Sequence, residues 1–138
     1  MKDWFLPALF TFFLWGAWGF IPKITTRYLS PVSAVVFEAA GALIVGVAVL
    51  FFLGFRPDIH PKGIGLAIST GIVGILGALC YLTAIKKGKV SVVVTMTALY
   101  PLFSIGLAYF FLKEPINRFQ SIGIILGVAG SILVMFTH

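Results

Sequence analysis

Glu38 is the residue from which a chemical reading of this chain begins. It stands in the apolar run from Pro31 to Leu53 and, tyrosine and cysteine apart, is the one ionisable side chain inside any of the long apolar runs. Ala34, Gly41, Ala42 and Val45 share its face at helical spacing, so the carboxylate is expected to point into a bundle or a cavity and away from lipid. An acid within a membrane costs a few kcal/mol on insertion scales, and such groups usually mark an ion or substrate path. Counting from Pro31 at ~1.5 Å per residue puts Glu38 roughly 10 Å inside the boundary. A structural carboxyl, tied to Lys23 or to a hydroxyl, is the other reading of the same residue.

Trp15 and Trp18 lie one turn apart near the end of the first run and read either as an interfacial aromatic belt or as the wall of a pocket. Successive runs alternate in direction, so the ends of the first and third share a level with the starts of the second and fourth. That rule predicts one layer holding Trp15, Trp18, Glu38, Tyr81, Ser91 and Thr95, with Tyr100 and the helix break at Pro101 as its floor near the midplane. An acid, aromatic rings and hydroxyls at one depth suit the binding of a small solute or a proton. They do not suit covalent catalysis: there is no acid pair and no nucleophile beside a base. His60 and His138 form no metal constellation, so no catalytic residue, metal or cofactor is expected.

The elements that must position these residues follow from composition. Hydrophobic residues make up 60% and charged residues 10% of the 138, and the mean hydropathy is +1.11. This excludes a soluble globular domain, whose charged fraction is about a quarter. The expected fold is an all-α integral membrane protein, one domain over residues 1–138, with spans at about 4–21, 31–53, 63–85, 90–112 and 116–136. The net charge of +6 comes from Lys and Arg in the turns, so nucleic acid is not an expected partner. Cys80 is the sole cysteine and permits no internal disulfide. The first run offers bulky tryptophans in place of a small-x-small cleavage site, so it is expected to be a retained helix closed by Pro22.

Within the fourth run, Pro101 has no N–H to give the carbonyl of Thr97, which must find another donor. A short turn from Lys113 to Asn117, with Pro115 starting the last helix, then sends the chain back. The last run carries Gly123-x-x-x-Gly127 with Gly130 one turn on, which reads as a face for close helix packing or as the ordinary glycine content of membrane helices.

Taken in order, Ala98-Leu99-x-Pro101, Leu112-Lys113-Glu114-Pro115, Gln120 and these glycines resemble the closing hairpin of the drug/metabolite transporter superfamily, in particular its EamA-type domain. The likeness extends less sharply through Trp15-Gly16, Lys23, Pro31 and Tyr81…Ala84-Ile85-x-x-Gly88…Ser91. It implies a multi-pass protein of a prokaryotic plasma membrane that moves a small organic solute by alternating access. Typical members carry two five-helix domains in tandem and look like a fused inverted pair. A single domain is therefore expected to pair with a second copy, antiparallel, as a ten-helix homodimer packed through Gly123, Gly127 and Gly130.

The charge pattern agrees with that expectation. Lys and Arg number five on each side of the membrane, so there is no positive-inside bias and dual topology is expected. Many family members carry a basic residue where this chain has Glu38; an acid there favours a cationic substrate or proton exchange. The rival reading is a non-transporting membrane subunit, or half of a heteromeric flippase for a lipid-linked substrate.

Overall fold

The computed structural model of the protein describes residues 3–136, so Lys2 and His138 lie outside the described residues. In order the elements are α1 (Phe5–Tyr28), α2 (Pro31–Phe52), α3 (Pro61–Lys87), α4 (Val90–Thr97), α5 (Tyr100–Leu107), a π-helical turn (Ala108–Leu112) and α6 (Arg118–Phe136). Among the described residues all regular structure is helical, and five segments are long and apolar enough to cross a membrane. The fourth, Val90–Leu112, is assembled from α4, α5 and the π turn. The chain divides into two units, one through Lys87 and one from Gly88.

Local chemistry sets the helix starts. Ser30 caps α2, its hydroxyl accepting from the Ser33 N–H at 3.2 Å, with Pro31 at a position whose N–H would be unpaired anyway. His60 does the same for α3, its Nδ1 accepting from the Gly63 N–H at 3.2 Å. Asn117 and Gln120 form a reciprocal capping box: Asn117 Oδ1 accepts from the Gln120 N–H and Gln120 Oε1 from the Asn117 N–H, each at 2.8 Å. The last helix therefore begins at Arg118, directly after the capping Asn117, and not at Pro115–Ile116.

The first helix also departs from expectation. Pro22 does not close it; α1 runs on to Tyr28, and Lys23 is helical and not in a turn. Lys23 and Thr25, just after Pro22, find partners on the neighbouring helix and inside the helix. Thr25 Oγ1 donates to the carbonyl of Ile21 at 3.2 Å, and Lys23 Nζ donates to the carbonyl of Ile85 on α3 at 2.8 Å.

In the first unit α1 packs on both α2 and α3, and α2 on α3. The buried contact is concentrated where α1 and α3 end: Gly19, Pro22 and Thr26 from α1, Ala34 from α2, and Ala78, Tyr81, Leu82 and Ile85 from α3. Half of them, Gly19, Thr26, Ala34 and Ala78, are small, which lets backbones approach closely; lipid tails remove the hydrophobic drive for a larger core.

In the second unit α4 packs against α6. The fourth span breaks at Ala98–Leu99, ahead of Pro101, so that Pro101 occupies the first turn of α5, where its missing N–H costs little. Thr97 Oγ1 folds back on the carbonyls of Val93 (2.9 Å) and Val94 (3.1 Å) at the break. The chain reverses through Lys113, whose φ of 54° is left-handed.

Candidate functional site

Three residues from three helices meet in the first unit. The indole Nε1–H of Trp18 (α1) donates to Oε1 of Glu38 (α2) at 2.5 Å. The ring of Trp18 stacks on that of Tyr81 (α3), with centroids 5.1 Å apart and planes 27° from parallel. The hydroxyl of Tyr81 donates in turn to the carbonyl of Gly19, at 2.5 Å. Pro22, three residues after Gly19, cannot donate to the carbonyl of Trp18, so this turn of α1 is short of one internal bond. The Tyr81 hydroxyl meets the carbonyl next to the one that Pro22 leaves without its helical donor, a hydroxyl from a neighbouring helix being a usual partner for backbone carbonyls at such a proline.

The geometry separates the roles of the aromatic residues. Tyr81 is only 6% exposed and stands behind Trp18, with both its ring and its hydroxyl engaged. Trp18 keeps 42% of its surface exposed and, with Glu38, lines a cavity of about 260 Å³. Ile21, Pro22, Leu29, Ala34, Phe37 and Leu82 supply its apolar wall, and Thr25 a hydroxyl. The site is thus an apolar cleft with a carboxylate and an indole at one point. Such a wall offers a cation the carboxylate charge and an aromatic ring together.

A model of the EamA-like transporter family matches residues 3–136. The chain belongs to that family. An uncharacterized transporter of Archaeoglobus fulgidus is 31% identical over 140 residues, which take in 97% of this chain and 48% of that protein. An uncharacterized protein of Methanocaldococcus jannaschii is 35% identical over 72 residues, 52% of this chain and 53% of that one. The chain spans about half the length of the Archaeoglobus transporter, and its match with the Methanocaldococcus protein covers about half of each. No solved structure matches it.

The remaining residues picked from the sequence of this EamA-like protein fall into two places. Trp15 lies one turn before Trp18 on α1 and is 58% exposed. Thr95 (half-buried, on α4) and Tyr100 (exposed, opening α5) belong to the second unit, as do Pro101 and the glycines. There Pro101, Leu102, Tyr109, Gln120, Gly123 and Gly127 help line a groove of about 510 Å³ between the arms of the hairpin. Gly123, Gly127 and Gly130 all face open space: a Cβ at any of them would meet nothing within 4 Å.

Two participants escaped the sequence reading. The Gly19 carbonyl carries no side-chain signal, although Pro22 a turn later marks the stretch where an acceptor is to be sought. Lys23 was assigned to a turn, whereas its ammonium closes the end of α3 through Ile85.

Proposed function

We propose that this EamA-like protein carries a small organic cation across the plasma membrane of a prokaryote in exchange for protons, by alternating access, as an antiparallel pair of identical copies. The observation that carries the reading is the Trp18–Glu38 hydrogen bond at the wall of the apolar cavity. A lone carboxylate holds one positive charge at a time, a proton or an ammonium group, so binding one releases the other. That competition is the coupling. Trp18 holds the carboxylate in place and offers its ring to the cation; Tyr81 holds Trp18. Trp15 extends the aromatic surface of α1 in this reading; within the second unit Thr95 and Tyr100 are candidate solute contacts, with Pro101 marking the break and Gly123, Gly127 and Gly130 packing one copy on the other.

The pairing is supported by the proportions of a relative. The Archaeoglobus transporter matches 97% of this chain with 48% of its own length, which leaves room in it for a second body of the same size. The same relation fits a partner of different sequence, as in a heteromeric flippase for a lipid-linked substrate. The two readings part on sidedness. With Cys80→Ser and His138→Cys in the full chain, a membrane-impermeant thiol reagent should label about half of the protein from outside intact cells if copies insert both ways. Labelling of all the protein from one side favours the heteromeric reading.

A further inference from the structure

The first unit carries its charge unevenly. Where α1 and α3 end it presents Lys23, Arg27, Lys86 and Lys87, and no Asp or Glu accompanies them between residues 22 and 30 or 84 and 88. At the other end Asp3 and Asp58 accompany Arg56 and Lys62. Lys23 is fixed by its bond to the Ile85 carbonyl, which ties the two helix ends together. Arg27 follows one turn later on the same stripe of α1, so a guanidinium continues that stripe beyond the tie. Arg27, Lys86 and Lys87 are exposed. The N-terminus of α2 lies at this end too, adding the positive end of its dipole.

We propose that this end of the first unit binds the phosphate of an anionic phospholipid in the surrounding bilayer, held by Arg27, Lys86 and Lys87. Lys23 acts as a positioning residue by joining α1 to α3. The guanidinium offers paired donors to phosphate oxygens, and the two ammonium groups add point charge. A lipid fits better than a free anion because the charges sit where two membrane-length apolar helices end, beside exposed Ile24 and Tyr28. An acyl chain covers that apolar surface while its headgroup meets the cations. None of Arg27, Lys86 and Lys87 lines the Glu38 cavity, so the site stands whether or not the protein transports anything.

The test uses the full chain, reconstituted in equal parts phosphatidylcholine and phosphatidylglycerol, extracted in mild detergent and examined for retained lipid by native mass spectrometry. Phosphatidylglycerol should be retained over phosphatidylcholine by roughly tenfold or more. The variant Arg27→Gln/Lys86→Gln/Lys87→Gln should bring the ratio close to one, and Arg56→Gln/Lys62→Gln should leave it unchanged. Equal retention of the two lipids by the unaltered protein would overturn the proposal. So would an equal loss in the Arg56/Lys62 variant, which would mean diffuse charge attraction. Displacement of the lipid by millimolar inorganic phosphate would make this a free-anion site and overturn it as well.

Discussion

Trp18 and Glu38 are joined across two helices, the indole N–H of the first bonded to the carboxylate of the second. A tryptophan has one donor and a carboxylate only acceptors, so the bond fixes which edge of the indole meets the acid. Trp18→Phe keeps a ring to stack on Tyr81 and removes the donor. The cost in stability should be about 1 kcal/mol, between the ~0.6 kcal/mol average for side-chain bonds in membranes and the larger value for bonds to charged groups. Thermal unfolding in detergent measures it; transport should fall far more than stability does.

Tyr81 gives a graded pair. Tyr81→Phe removes only the bond to the Gly19 carbonyl and should cost about 1 kcal/mol. Tyr81→Ala also removes the stack on Trp18 and leaves a void at a buried position, for which about 3–5 kcal/mol is expected. In a background of Trp4→Phe and Trp15→Phe, the emission of Trp18 should shift in the Ala variant and stay nearly fixed in the Phe variant. An unchanged spectrum in both would deny Tyr81 a hold on Trp18.

Lys23→Met keeps an unbranched apolar stem and removes the ammonium. The end of α3 then loses its donor at Ile85, and hydrogen exchange of the last turn of α3 should quicken relative to the middle of α2. Equal exchange in variant and parent would show that the contact contributes nothing to the helix end.

The glycines of α6 separate folding from pairing. Because a Cβ at Gly123, Gly127 or Gly130 meets no atom within 4 Å beyond the backbone of its own helix, Gly127→Ala should leave insertion and monomer stability unchanged. If a second copy packs on this face, the dimer fraction counted by single-molecule photobleaching in vesicles should fall several-fold, because small residues set how closely helices approach. An unaltered dimer fraction would place the interface elsewhere.

The spans were legible because a bilayer demands about 20 apolar residues per crossing, and the described residues supply five such runs. Helix ends were less so. Pro22 and Lys23 looked like a terminus, yet α3 provides the carbonyl that Lys23 needs, and a neighbour's acceptor leaves no trace in local sequence. The start of α6 was within reach: Asn117-x-x-Gln120 is a capping pattern, and it outweighed the proline two residues earlier. Of the layer drawn from depth alone, Trp18, Glu38 and Tyr81 meet in one unit. Depth could not tell that Tyr81 would stand behind Trp18 and not in the cavity wall, because that depends on helix rotation. Rotation is set by contacts such as the phenol on Gly19, which no periodicity encodes.

The central claim is that Glu38 exchanges a proton for a cation, and ethidium uptake into vesicles under an imposed pH gradient tests it most directly. Raising the pH on the side facing ethidium frees the carboxylate for the cation, and acid on the opposite side returns the proton and releases the cargo. Vesicles of the unaltered chain should accumulate ethidium only with this gradient. Glu38→Gln, inserted to the same level, should lose at least about 90% of that uptake, as expected when the one group that both ions share is neutralised. Uptake by Glu38→Gln with an unchanged pH dependence, or no gradient-driven uptake by the unaltered protein, would contradict the account.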